Sequence, residues 1–151
     1  MKLAEALLER SALQAKLGSL RQRVVSNAVV QEGETPHEDP QVLIGESNGV
    51  LDDLETLVAR INATNAAATL SDGRTLTTAI ARRETLKARH AMLEAAAKGA
   101  QKEPDAYSMR EVKWVSTLPV KSLRKQADDV SAKIRELNRR IQETNWSTDL
   151  L

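Results

Sequence analysis

Residues 120–141 read VKSLRKQADDVSAKIRELNRRI, and this stretch decides the fold of the 151-residue chain. Its apolar residues recur every three or four positions, at Val120, Leu123, Ala127, Val130, Ile134, Leu137 and Ile141. That spacing places them along one side of an α-helix. We therefore predict a long helix that begins just after Pro119, with Ile134 and Leu137 buried at the centre of its apolar stripe.

Three earlier segments have the same rhythm, and breaker residues separate them. Apolar residues follow it from Leu3 to Val24, from Leu43 to Ala68 and from Leu76 to Ala97. Glycine, proline and clustered carboxylates over residues 33–40 interrupt the pattern, as does Gly99 with the polar turn behind it. The sequence predicts a mainly α fold, an antiparallel bundle of four long helices that forms a single domain over residues 1–151.

Two short segments favour β-structure instead. Asp72 and Gly73 lie between β-prone residues within 69–76 and predict a tight reversal or a small hairpin. Residues 110–117 are rich in Val, Trp and Thr and predict a short strand. The second helix has a weak beginning, because residues 45–49 contain two glycines, a serine and an asparagine, and we expect fraying or a bend there.

The composition excludes several function classes. Hydrophobic residues make up 41% of the chain but aromatic residues only 2%, so four elongated helices form a thin core and homo-oligomerisation is expected. With 22 Lys and Arg against 21 Asp and Glu, the net charge is +1, which makes nucleic acid an unlikely partner. The chain has no Cys, two His and no recognisable catalytic or phosphate-loop motif, so we predict neither an enzyme nor a cofactor.

Polar residues that interrupt the apolar stripes are the candidate interior contacts. They are Arg10, Asn27, Asn62, Asn65, Arg83 and His90. Buried polar groups at such positions fix helix register and oligomer number, which is the favoured interpretation. The alternative is a polar pocket that binds a small anion or another polar ligand.

Two clusters of charge are candidate binding sites. His37 lies among Glu32, Glu34, Glu38 and Asp39, but one His with flexible carboxylates is a weak ligand set, so no metal site is predicted. The densest basic run contains Arg82, Arg83, Lys87 and Arg89. It is interpreted as a solvated helix face, with a phosphate or RNA contact as the alternative.

The positions of the two tryptophans and the hydropathy of the chain give two further expectations. Trp114 and Trp146 lie at the transitions between segments, which suggests packing at bundle ends or in an oligomer contact. The first ten residues carry charges every few positions, and no later stretch reaches the length of an apolar membrane span. We therefore expect a cytoplasmic protein.

Five segments together resemble a small bacterial family called septicolysin-like. They are MKLAEAL (1–7), VQEGE (30–34), DGRTLT (72–77), VKWVST (112–117) and IQETNWSTDLL (141–151). The resemblance runs from end to end and implies a compact, mainly helical and oligomeric protein. The family's name, taken from a cytolysin, implies pore formation. The chain departs from the family at residues 45–49, where its relatives look more strongly helical.

Three hypotheses about function follow. The favoured one is a non-catalytic, self-assembling protein that acts as an oligomeric scaffold or binding module, with itself, a small anion or a protein as partner. The first alternative is a pore-forming cytolysin that acts on membranes by rearranging amphipathic helices. The second alternative is an accessory protein that binds RNA or an anion through the basic run.

Overall fold

Four long helices make up most of the chain. The computed structural model describes residues 1–101 and 114–151, and the helices are α1 (Leu3–Asn27), α2 (Pro40–Ala67), α3 (Leu76–Gly99) and α4 (Val120–Ser147). The predicted mainly α fold with four helices is confirmed. The predicted end of the third helix at Gly99 and the start of the fourth after Pro119 agree with the observed bounds.

Local capping explains where two of the helices begin. The Asp39 carboxylate accepts a hydrogen bond of 2.8 Å from the backbone N–H of Gln41, and Pro40 occupies the first helical position of α2. The Thr75 hydroxyl accepts a hydrogen bond of 3.2 Å from the backbone N–H of Thr78 at the start of α3. Each cap satisfies an N–H group that has no partner within the helix.

The expected fraying at residues 45–49 is wrong, because α2 is continuous from its first turn. Leu43 and Val50, which flank the two glycines, are buried in one hydrophobic cluster with Leu20 of α1. The Ser47 hydroxyl donates a hydrogen bond of 2.8 Å to the Leu43 carbonyl. Burial of apolar side chains on both sides of the weak segment outweighs its low helix propensity.

The chain divides into two compact units. The α1–α2 unit comprises Met1–Thr69 and Gln142–Leu151, and the α3–α4 unit comprises Leu70–Ile141. Helix α4 therefore contributes residues to both units. The single domain over residues 1–151 stays a prediction.

In the α1–α2 unit, two antiparallel helices enclose a small apolar core. Ion pairs join Arg23 to Glu38 and, at 2.9 Å, Lys16 to Glu46, so successive positions of α1 meet α2 in reverse order. Leu20 is fully buried between them, with Leu43 and Val50 in the same cluster. Partly buried residues around this cluster, namely Leu13, Leu17 and Val24, extend the predicted apolar stripe.

Backbone hydrogen bonds join the first and last residues described in this unit. The Leu3 N–H donates to the Thr148 carbonyl at 2.9 Å, and the Leu150 N–H donates to the Met1 carbonyl at 3.0 Å. An isolated antiparallel β-bridge pairs Lys2 with Asp149, and their side chains form an ion pair of 2.8 Å.

The α3–α4 unit is also an antiparallel helix pair. The Arg124 guanidinium near the start of α4 donates to Gln101, just beyond the end of α3, at 2.6 Å. Arg140, near the other end of α4, pairs with Asp72 before α3 at 3.3 Å. On α4, Leu137 is buried and Ile134 only half-buried, so the centre of the predicted stripe is incompletely covered.

The two predicted β-elements have different outcomes. The reversal at residues 69–76 is a hydrogen-bonded turn, in which the Gly73 N–H donates to the Leu70 carbonyl at 2.9 Å. Gly73 has a φ of +82°, a conformation that glycine adopts without steric cost. The predicted strand is wrong over residues 114–117, which have no strand pairing, and its residues 110–113 lie outside the described residues.

Candidate functional site

A cleft of about 430 Å³ lies along helices α3 and α4, entirely within the α3–α4 unit. We call it the α3–α4 cleft. The residues that line it come from the turn before α3, from α3 and from α4, and they are Asp72, Arg74, Arg82, Leu86, Ala132, Lys133, Glu136, Leu137 and Arg140.

Helical periodicity explains why these side chains meet. Arg82 and Leu86 are four residues apart on α3, so they occupy neighbouring turns on one side of the helix. On α4, Lys133, Leu137 and Arg140 follow one another at spacings of four and three. Leu86 and Leu137 are buried, which gives the cleft an apolar floor beneath charged side chains.

Both described carboxylates of the cleft form ion pairs with arginines. Asp72 forms ion pairs with Arg74 at 3.0 Å and with Arg140 at 3.3 Å. Glu136 forms ion pairs of 2.8 Å with Arg139 and with Arg140. Hydrogen bonds from these two arginines lower the pKa of the Glu136 carboxyl to about 2, so it stays ionised at any ordinary pH.

Two cations of the cleft have no such partner. Arg82 and Lys133 are exposed and form no hydrogen bond or ion pair with any residue that the structure describes. Among the described residues, the cleft therefore carries four cations against two anions, and the charge left without a partner lies on Arg82 and Lys133. A guanidinium and an ammonium group above an apolar floor can bind a phosphate or carboxylate group whose remainder is apolar.

A second cleft, of about 440 Å³, lies nearer the other end of this helix pair. Its charged residues are Glu94, Lys98, Arg124 and Asp128, two acidic and two basic. Because these described charges balance, the described lining of the second cleft does not favour an anion. We therefore take the α3–α4 cleft as the candidate site.

The predicted polar interior residues lie elsewhere. Arg10, Asn27, Asn62 and Asn65 belong to the α1–α2 unit, whereas Arg83 and His90 belong to the α3–α4 unit, and none of the six lines either cleft. Asn62 is exposed, which corrects its expected inward position, because the side of α2 that is buried is the one bearing Ile61 and Thr64.

Two of these residues, Asn27 and Arg83, have contacts that explain them locally. Asn27 donates to the Arg23 carbonyl at 2.9 Å and accepts from the Glu38 N–H at 3.1 Å, so it ties the end of α1 to the following loop. Arg83 pairs with its neighbour Glu84 at 2.8 Å. The Nε atom of Arg10 is buried and has no hydrogen-bond partner within residues 1–101 and 114–151. Asn65 and His90 are half-buried.

The two tryptophans are not packed into a helix end. Trp114 is 70% exposed and Trp146 is 55% exposed, which corrects the expectation that they fill the ends of a bundle. Trp114 precedes α4 and Trp146 lies in the last turn of α4, and the single chain leaves both side chains largely exposed to solvent. Their role in an oligomer contact stays a prediction.

The residues of the predicted basic run have different surroundings. Arg82 lines the α3–α4 cleft, whereas Arg83 and Lys87 both pair with Glu84, and their hydrogen bonds lower the pKa of that carboxyl. The other residues that line the α3–α4 cleft were not identified from the sequence. The spacing of Lys133, Leu137 and Arg140 was a usable signal, but it gains meaning only once α4 is known to run antiparallel to α3.

Two further features are absent from the described part of the chain. Within it, no three His, Cys, Asp or Glu side chains are grouped so that they could hold a metal ion, and this applies to His37 and its acidic neighbours. No helix in the described ranges combines the length and the apolar content that crossing a membrane requires.

The fold and the cleft define a small, mainly α protein with a basic groove along one helix pair. The chain belongs to a family of unknown function (DUF6847), which matches residues 10–150. It is similar over 100% of its length to a functionally unknown conserved protein from Corynebacterium diphtheriae, with 35% identity, a TM-score of 0.93 and 99% of that chain covered in its crystal structure. No curated protein matches the chain.

Neither the family description nor that of the similar protein states a function. The resemblance to septicolysin-like proteins therefore stays a prediction, together with the pore formation that its name implies.

Proposed function

We propose that this protein is a non-catalytic binding module, acting in the cytoplasm, whose α3–α4 cleft binds an anionic group. One observation carries the proposal. Arg82 and Lys133 line the same cleft and have no partner among the described residues, while the neighbouring Arg74 and Arg140 are neutralised by Asp72 and Glu136.

The cleft favours an anion that is polar at one end and apolar at the other. Arg82 offers a planar fork of N–H donors and Lys133 a mobile ammonium group, and both suit a phosphate or a carboxylate. Leu86, Ala132 and Leu137 offer apolar contact to the rest of the ligand. Because both cations are exposed, each contributes about 1 kcal/mol or less, and binding weakens as salt increases.

Titration with inorganic phosphate and with phenyl phosphate tests the proposal. Chemical-shift changes should concentrate on the lining residues, and phenyl phosphate should bind more tightly because its ring covers the apolar floor. The double variant Arg82→Gln with Lys133→Gln should weaken binding about tenfold, as loss of two exposed charge contacts implies.

The matched control neutralises two cations outside the cleft. Arg89→Gln with Lys125→Gln removes the same charge from exposed positions of α3 and α4 that do not line the cleft. This control should bind both probes as the parent does. Equal weakening in the two double variants would mean that net charge, and not the cleft, attracts the anion, and would overturn the proposal.

Pore formation and self-assembly are the other functions under consideration. Release of dye from liposomes at a rate above that of a buffer control would favour the septicolysin-like alternative over the binding module. Self-assembly is compatible with an anion-binding cleft.

A further inference from the structure

The two compact units carry opposite net charges, which the near-neutral total conceals. The α1–α2 unit contains six Lys and Arg against 12 Asp and Glu, a net charge of −6. The α3–α4 unit contains 16 Lys and Arg against nine Asp and Glu, a net charge of +7. Residues 102–113 contain three of each sign, so the difference arises wholly from residues that the structure describes.

Most carboxylates near the helix ends of the acidic unit are already engaged. Glu38 pairs with Arg23, Glu46 pairs with Lys16, and Asp39 caps α2. The α2 acidic face, defined as Asp52, Asp53 and Glu55, differs from them. All three side chains are exposed and have no hydrogen bond or ion pair within the described ranges. They lie close together, within about one turn of the continuous helix α2.

The surroundings of the α2 acidic face leave it accessible. Gly49, Thr56 and Ala59 follow the spacing of Asp52 along the helix and are exposed, so short side chains flank the carboxylates. No atom lies within 4 Å of the position that a Cβ would take at Gly49. A partner surface can therefore approach these carboxylates without first displacing long side chains.

We infer that the anionic group bound in the α3–α4 cleft is the α2 acidic face of a second copy of this chain. The inference rests on the proposed function and names the partner of the same site. Arg82 and Lys133 of one copy would pair with carboxylates among Asp52, Asp53 and Glu55 of the other. The contact joins two different surfaces, so a pair of copies joined by one contact still has one free cleft and one free acidic face. Further contacts then close a ring or extend a chain.

Charge complementarity favours a second copy over a polyanion. A nucleic acid or an anionic membrane drawn to the +7 unit would be repelled by the −6 unit of the same chain, whereas a second copy satisfies both surfaces. Among the residues that the structure describes, no aromatic side chain lines the cleft, so the described lining offers no stacking surface for nucleic acid bases.

Neutral variants of each surface test the inference, because their side chains are exposed and should not disturb folding. The cleft variant carries Arg82→Gln and Lys133→Gln, and the face variant carries Asp52→Asn, Asp53→Asn and Glu55→Gln. Light scattering should give the parent a mass above that of a monomer at low ionic strength, and this mass should fall as salt increases. Each variant alone should remain monomeric.

The mixture of the two variants gives the sharpest result. The cleft variant retains only an acidic face and the face variant retains only a basic cleft, so their equimolar mixture should form a 1:1 dimer that does not grow. A control with Glu32→Gln and Glu34→Gln, which neutralises acidic residues of the same unit outside α2, should assemble as the parent does.

Phosphate titration of the same variants separates the inference from the proposed function. The face variant retains the cleft, so it should bind phosphate as tightly as the parent does under conditions in which the parent is a monomer and its cleft is open. Two outcomes would show that the α2 acidic face of a second copy is not the partner: the face variant binds phosphate while the parent stays monomeric at low salt, or the face variant assembles as the parent does. In both cases the proposed anion-binding function of the cleft is retained. If the parent binds no phosphate, the proposed function fails. Cleft-dependent binding of a single-stranded RNA or an anionic vesicle by a monomeric parent would overturn the inference in favour of that ligand.

Discussion

The α1–α2 and α3–α4 units are both antiparallel helix pairs, yet they differ in what lies beside their apolar residues. In the first unit, Leu20 is fully buried in a cluster with Leu43 and Val50. In the second, buried Leu86 and Leu137 form the floor of a cleft lined by cations. Similar stripes of Leu and Val therefore support either a closed contact or a binding groove, depending on the charges at flanking positions.

Matched core truncations should give the largest difference between the two units. Leu20→Ala should destabilise the protein by about 2 to 5 kcal/mol, and towards the upper part of that range, because a closed cluster cannot refill the cavity. Leu137→Ala should cost less within the same range, because the cleft beside it gives the cavity access to solvent. Urea unfolding of both variants measures the difference.

The control for these truncations is Leu8→Ala on α1, since Leu8 is 64% exposed. It should change the free energy of unfolding by less than about 0.5 kcal/mol. A loss for Leu137→Ala equal to or above that for Leu20→Ala would contradict the view that the second helix pair is the more open one.

A smaller effect is expected from one buried hydroxyl of the α1–α2 unit. Thr64 is 1% exposed, and its hydroxyl accepts a hydrogen bond of 3.0 Å from the Leu151 N–H while donating to the Arg60 carbonyl. Thr64→Val keeps the shape but removes the acceptor, so it should cost about 1 kcal/mol in thermal or urea unfolding.

Thr85 of the α3–α4 unit is the matched position. Its hydroxyl donates to the Ala81 carbonyl in the same helical geometry but is exposed. Thr85→Val should leave stability unchanged within about 0.5 kcal/mol. Equal losses in both variants would mean that the hydrogen bond within the helix, and not the contact to Leu151, makes Thr64 important.

The smallest effect concerns acid stability of the α3–α4 unit. Arg139 and Arg140 lower the pKa of Glu136 from its ordinary value of 4.5 to about 2. Between these two pH values the unfolded chain binds the proton and the folded chain does not, so stability rises with pH across this window and is lost as pH falls towards 2. Glu136→Gln should make the free energy of unfolding less dependent on pH there.

Glu94→Gln, at a carboxylate with no ion pair among the described residues, is the control for this measurement. Its pH dependence should follow that of the parent more closely than Glu136→Gln does. Because the Glu136 side chain is exposed, high salt should weaken the effect.

Much of the fold was predictable, whereas the site was not. The three-four spacing of Val120, Leu123 and Ala127 identifies α4, and Asp39 with Pro40 identifies the start of α2. Arg82 was visible as part of a basic run. Nothing in the sequence indicates that it shares a cleft with Lys133, which is 51 positions later, because this requires the register of two helices.

The sequence by itself determined the features that depend on near neighbours: the helical period, the Asp39 and Thr75 caps, and the turn at Gly73. These arise from interactions over one turn of chain, so residue order suffices. Only the tertiary structure decided which carboxylates are engaged, as when Arg140 reaches Asp72. It also grouped the charges into units of −6 and +7. The physical reason is that pairing between distant residues depends on how helices pack, and periodicity within each helix is compatible with several registers.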